Sequence, residues 1–292
     1  MLRDEVRRVV QPLRAARDLC TARLTESSSL TSVLFSWLEE AERRRLYWWS
    51  PGGHRVNVGD YLSKVIVSSV LALNDKTLIE KRDVGHKLLA IGSVLHCADN
   101  GDTVWGSGIN GKIPVQQHRF ETLDVRAVRG PKTRAFLMER GIGVPEVYGD
   151  PALLTPLFFP RSALEPQETR PFVIVPHLNE APDKYRAYSE HLVTPTSKPA
   201  QFVRGLLGAK LVISSSLHGL ILAEAYGIPA VYLDWGNGED RFKYDDYYLG
   251  TGRTTWHAGH DVETCLELGG NKTFDLATIQ ANLLASFPHD LW

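Results

Sequence analysis

Leu211-Val212-Ile213-Ser214-Ser215-Ser216-Leu217-His218-Gly219-Leu220-Ile221-Leu222-Ala223-Glu224-Ala225-Tyr226-Gly227 runs from an apolar stretch into three serines and a histidine, then into a helix-forming segment. A short apolar run that stops at small polar residues predicts a buried strand over 209–213, with a helix over 219–226. Buried strands followed at once by helices are the mark of parallel sheets built from βαβ units. At such a junction the carboxyl end of the strand, free helix N–H groups, hydroxyls and an imidazole converge, which suits an anion. Ser214, Ser215, Ser216, His218 and Gly219 are therefore candidate binding residues. The competing reading is a capped helix with a hydrogen-bonded histidine.

The same alternation recurs on both sides. Strands are predicted over 46–49, 87–95, 103–105, 123–128 and 146–148, with helices over 61–73 and 131–140. Nearer the quoted stretch come a strand at 172–175, helical turns over 184–191, a helix over 199–207 and a strand at 228–233. The polar, proline-containing stretch 158–171 reads as a linker. These elements predict an α/β chain of two Rossmann-like domains facing across a cleft, over 46–160 and 170–292. Residues 1–45 form a helical extension, with basic amphipathic character over 2–19 and a second helix over 30–46.

Bulk properties narrow the function. Lys+Arg total 33 against 34 Asp+Glu, so no global field recruits nucleic acid. Cys20, Cys97 and Cys265 are odd in number, far apart and without ligand spacing, which predicts no metal centre and a reducing compartment. No apolar stretch is long enough to span a bilayer. The first twenty residues carry five arginines and no apolar core, so they do not read as a signal peptide. A cytoplasmic location is expected.

Gly106-Ser107-Gly108-Ile109-Asn110-Gly111 matches G-x-G-x-x-G, but Pro114 follows where a helix must open to face a pyrophosphate. The glycines read instead as a tight loop that lets backbone approach something closely, and a nicotinamide cofactor is rejected. In Arg126-Ala127-Val128-Arg129-Gly130-Pro131, Arg129 ends a strand ahead of a helix that Pro131 opens. Its guanidinium suits a carboxylate or phosphate, or else pairs with a neighbouring acid. Asp60 in Asn57-Val58-Gly59-Asp60 is either a helix cap or a cleft carboxylate able to take a proton from a hydroxyl. Asp150 in Gly149-Asp150-Pro151-Ala152 ends another strand, or simply starts a turn. The charged and aromatic run 239–248, with Arg241 and Lys243, reads as a loop that either is solvated or lines the cleft. His177 is a weaker candidate.

Asn57-x-Gly59-Asp60, Val128-Arg129, Gly149-Asp150-Pro151-Ala152 and Ser216-Leu217-His218-Gly219 stand in an order that resembles the polysaccharide pyruvyl transferase family, over about residues 46–248. With 105–111 and 232–238 the likeness is greatest to the family's xanthan-building members. The resemblance implies a GT-B-like fold and phosphoenolpyruvate as donor, with no bound cofactor. The product would be a 4,6-ketal on a terminal mannose of a lipid-linked exopolysaccharide repeat at the cytoplasmic face of the inner membrane. It implies that Arg129 and His218 hold the donor. Many relatives carry arginine where this chain has Ser216, so Arg241 or Lys243 is expected to replace that cation.

The chemistry needs cations and N–H donors for two anionic groups, an acid and a base. His218 is expected as acid or phosphate anchor, because histidine as a residue type titrates near neutrality. Asp60 is expected as base, with Asn57, Gly59, Asn110 and Asp150 on the acceptor side. Residues 2–49 are expected either to meet anionic head groups or to pack on the body. Two rival readings are a sugar-nucleotide glycosyltransferase on the same fold and a non-catalytic sugar-binding subunit of an assembly complex.

Overall fold

The computed structural model describes residues 30–51, 56–166, 168–236 and 238–292. It contains two parallel four-stranded sheets, each with its strands in chain order. The first joins β1 (Leu46–Tyr47), β2 (Leu88–Leu89), β3 (Thr103–Trp105) and β4 (Asp124–Ala127). The second joins β5 (Val173–Val175), β6 (Val212–Ser214), β7 (Ala230–Leu233) and β8 (Ala258–Gly259). Two such sheets in a mixed α/β chain are consistent with Rossmann-like halves.

Period-two side-chain placement explains why β2, β5 and β7 are apolar throughout, whereas β4 alternates half-buried Asp124 and Arg126 with buried Val125 and Ala127. Leu88, Trp105, Val173, Val175, Val212, Ala230 and Tyr232 enter one large core that touches both sheets. Their strand neighbours Leu89 and Val104 fill a separate cluster behind the first sheet. Ile174, Ile213, Val231 and Leu233 do the same behind the second. Successive residues of a strand point to opposite faces, so a strand buried on both faces cannot alternate polar with apolar.

The helices that position the site are α1 (Leu30–Arg43), α2 (Val58–Ala72), α3 (Pro131–Glu139), α4 (Pro199–Leu207), α5 (Leu217–Ala225), α6 (Phe242–Gly250) and α7 (Leu276–Ala285). Helix α2 buries Leu62, Ile66 and Val70 in the shared core. Its first amide is tied to the second half, Val58 N–H donating to the Pro195 carbonyl at 2.8 Å. The chain's last residues return to the first half: Trp105 Nε1 donates to the Leu283 carbonyl at 2.9 Å, and Arg126 forks onto Asp290.

Three expectations change. Residues 239–248 are not a loop: from Phe242 they form α6, and its Tyr244, Tyr247 and Tyr248 are fully buried. The strand expected over 87–95 narrows to Leu88–Leu89, and 146–148 contributes a single bridge between Tyr148 and Val128. The interfacial surface expected over 2–49 lies outside the described residues for 1–29. Of its described tryptophans, Trp48 is buried beneath the Arg43 guanidinium, 4.0 Å from the ring centroid, and Trp49 is partly exposed and lines the central cavity.

Candidate active site

A cavity of about 310 Å³ opens where the carboxyl ends of both sheets meet. The first half contributes Trp49, Asn57 and Asp60 after β1, Ser93 and His96 after β2, and Asn110 and Lys112 after β3. The second contributes His177 after β5, Ser216 and His218 after β6, and Glu239 and Lys243 after β7. Parallel sheets expose their loops and helix N-termini at this edge, which is why ligands bind there.

One corner holds Asp60, His218 and Asp150. Helix α5 starts directly after β6, so His218 in its first turn projects from the sheet edge. The ring lies against the start of α2, where a Cβ on Gly59 would fall 1.9 Å from Nδ1. Glycine is the residue type that permits this approach. On the far side, His218 Nε2 and Asp150 Oδ2 face each other at 3.7 Å, both buried and neither hydrogen bonded. Asp150 uses its other oxygen to accept the Ala152 N–H at 3.0 Å. Nε2 is thus buried toward Asp150, while Nδ1 lies against Gly59 at the start of α2.

Asp60 is 8% exposed and accepts from Asn57 Nδ2 at 2.6 Å. Asn57 holds the capping position, so the simple cap reading of Asp60 gives way to a cleft carboxylate. Burial pushes its pKa up to about 6; the nearby His218 opposes that shift and Asp150 adds to it. A carboxylate so placed is ionised at neutral pH yet basic enough to take a proton.

The opposite corner is a cationic cluster around one acid. Lys112 and Lys243 both donate to Glu239, and His177 Nε2 lies 3.7 Å from it. Burial alone would raise the Glu239 pKa, but Lys243 and the lysine hydrogen bonds outweigh it and hold it down to about 2. His177 is pushed down to about 4, by burial first and then by Lys243, so its imidazole is neutral near pH 7. Lys243 is lowered by the same burial.

Arg129 does not reach the cavity. It is fully buried, with Nε donating to Asp246 Oδ2 at 3.0 Å, one terminal nitrogen to Ser93 Oγ at 2.6 Å and the other to the Ile109 carbonyl at 2.7 Å. Gly108 makes room for it, since a Cβ there would lie 2.4 Å from the guanidinium carbon. Asp246 also accepts from the Thr133 N–H and hydroxyl at the start of α3. The arginine thus fastens α6 to the loops after β2 and β3, and touches the cavity only through Ser93.

The three serines divide in the same way. Ser214 Oγ donates to the Val175 and Ser216 carbonyls, and Ser215 Oγ to Glu180. Ser216 alone of the three lines the cavity. Gly219 packs against Ser214 and Val175, inside the β6–α5 turn. Arg241 stacks over Trp256 at 4.6 Å and is not among the lining residues, whereas Lys243 is. Asn57, Asp60 and Asn110 line the cavity, Gly59 lies against the His218 ring, and Asp150 stands behind that ring. Lys112, Ser93, His96 and Glu239 were not singled out from the sequence. The available signal was position, since each follows a strand's carboxyl end.

Residues 98–237 match the family model described as polysaccharide pyruvyl transferase. Succinoglycan biosynthesis protein ExoV of Rhizobium meliloti (strain 1021) is 29% identical over 215 residues, which cover 69% of this chain and 62% of ExoV. Uncharacterized protein L143 of Acanthamoeba polyphaga mimivirus is 25% identical over 170 residues, 54% of this chain and 57% of L143. The chain thus spans about three fifths of these curated relatives. A crystal structure of a functionally uncharacterized protein from Klebsiella pneumoniae subsp. pneumoniae NTUH-K2044 aligns with 76% of this chain and 94% of that one, at 13% identity and a TM-score of 0.43.

Proposed function

We propose that this chain, whose residues 98–237 match the polysaccharide pyruvyl transferase family model, transfers pyruvate from phosphoenolpyruvate to a terminal mannose of a lipid-linked exopolysaccharide repeat, forming a 4,6-ketal and releasing phosphate. The likeness to ExoV, a succinoglycan biosynthesis protein, supports exopolysaccharide assembly as the setting. The GT-B-like arrangement belongs to the same proposal, with both sheet edges turned to one cavity. The single observation that carries the reading is that cavity's polarity: a proton-handling corner of Asp60, His218 and Asp150 faces a cationic corner of Lys112 and Lys243.

The donor carries a carboxylate and a phosphate on one carbon. Lys243 and Lys112 receive these anions, helped by the N–H groups at the start of α5. Lys243 fills the place of the cation missing at Ser216. Asp60 takes the proton of one sugar hydroxyl, whose oxygen bonds to C2 of the donor, while the donor's methylene carbon gains a proton and becomes a methyl. The C2–phosphate bond then breaks, the second hydroxyl adds to C2, and its proton leaves with phosphate. His218 supplies or receives protons, with the Asp150 carboxylate facing its Nε2. Arg129 acts at one remove, by fixing Ser93 and α6.

Incubation with phosphoenolpyruvate and a mannose-terminated glycolipid tests this: one pyruvylidene group should be gained per phosphate released. Saturable turnover of a uridine or guanosine diphosphate sugar, with no pyruvylated product, would replace it with the glycosyltransferase reading.

A further inference from the structure

A second cavity, of about 410 Å³, lies beside the first and is lined by His96, Cys97, Asp99, Gln117 and Arg119. His96 lines both cavities, so the two share a wall. The lining comes from the loop after β2 and the segment that follows the glycine-rich loop after β3. Its His96 end adjoins the active site, while Asp99 reaches back to Lys87, which stands just before β2.

Its polar groups are available for a ligand. The Arg119 guanidinium and the Gln117 amide have no hydrogen-bond or ion-pair partner among the described residues. His96 Nδ1 is buried and has no partner either. Asp99 is paired with Lys87 at 2.6 Å, so its charge is already met. One free cation and one neutralised acid make a poor trap for a diphosphate, which calls for several cations. An amide, a guanidinium, an imidazole and a carboxylate oxygen around an open groove suit the hydroxyls of a neutral sugar.

We propose that this second cavity is an acceptor subsite that holds the sugar next to the one being modified. The inference rests on the proposed transferase reading, because it takes the reacting sugar to sit beside Asp60. A chain of sugars whose end lies in the first cavity leaves past His96 and enters the second. His96 then contacts both residues of the acceptor, while Gln117 and Arg119 hydrogen bond the inner one and set the preference for an oligosaccharide over a single sugar.

The test compares a simple mannoside, a free mannose-terminated oligosaccharide and the same oligosaccharide on a lipid diphosphate. Wild type, Gln117→Ala/Arg119→Ala and Arg119→Lys proteins are used, with folding checked by thermal melting. The double variant should lose about tenfold in kcat/KM on both oligosaccharides, a loss of one or two hydrogen bonds, and far less on the mannoside. Arg119→Lys should recover part of that loss. Equal losses on all three acceptors, or none, overturn the subsite; a loss confined to the lipid diphosphate shows an anion site instead. Saturation-transfer NMR of the free oligosaccharide on each protein reads the subsite without catalysis. Absence of pyruvyl transfer with retained, Arg119-dependent sugar binding would therefore sink the transferase reading and spare the subsite.

Discussion

The two corners of the active-site cavity are built on opposite principles. Around Glu239 every charge has a partner: two lysines and a neutral histidine surround one carboxylate held far down the acid range. Around His218 the polar atoms are left unfinished, with Nε2 and Asp150 Oδ2 buried, unbonded and 3.7 Å apart, beside an aspartate whose pKa is pushed up to about 6. Buried polar groups are normally satisfied, so groups that are not carry a cost the fold must offset elsewhere. Such cost is tolerated where protons move, whereas a satisfied cluster of cations is ready to exchange one anion for another. On the proposed reading, chemistry falls to the unfinished corner and donor binding to the finished one.

The largest test falls on the chemistry corner. His218→Asn should lower kcat by about 10²–10⁴-fold, the range of acid–base catalysis, with the donor KM changed much less. A loss in KM with kcat intact would move His218 to the binding side.

Arg129 marks a third kind of place, the buried lock behind both corners. Arg129→Ala strands the Asp246 carboxylate and should cost about 3–5 kcal/mol in chemical denaturation. Unchanged stability with a selective loss of donor affinity would return Arg129 to the donor site. On the finished corner, Lys243→Met should raise the donor KM by roughly tenfold, as expected for one charged hydrogen bond, and leave the acceptor KM nearly unchanged. Equal effects on both substrates would erase the distinction between the corners.

Asp60 provides the smallest effect and the sharpest sign. Its folded pKa lies above the ordinary carboxylate value, so between about pH 4 and about 6 the folded state holds more protons than the unfolded one. Stability therefore falls as pH rises through that window. Asp60→Asn should stabilise the protein near pH 7 by on the order of 1–3 kcal/mol while removing activity. In the wild type kcat/KM should decline below about pH 6, as the base becomes protonated. A destabilised Asp60→Asn protein, or a flat acid limb, would contradict the reading of Asp60 as a strained base.

Much of this molecule is legible locally. Short apolar runs located β3, β5, β6 and β7, and the serine–histidine junction brought His218 and Ser216 to the sheet edge. The Asn57–Asp60 motif reached the same cavity from the other half. These readings succeed because strand period, helix start and the carboxyl-edge rule depend on residues a few positions apart. Partner choice does not. Arg129 carries the same guanidinium whether it grips a ligand or an acid, and the acid it found is 117 residues away. Lys112 meets Glu239 across 127 residues, and the charged run at 239–248 became a buried helix because the tyrosines within it met the shared core. The chain by itself determined which residues arrive at the sheet edges. Tertiary packing alone decided which of them stay free, because the energy of burying a charge depends on what else is buried beside it.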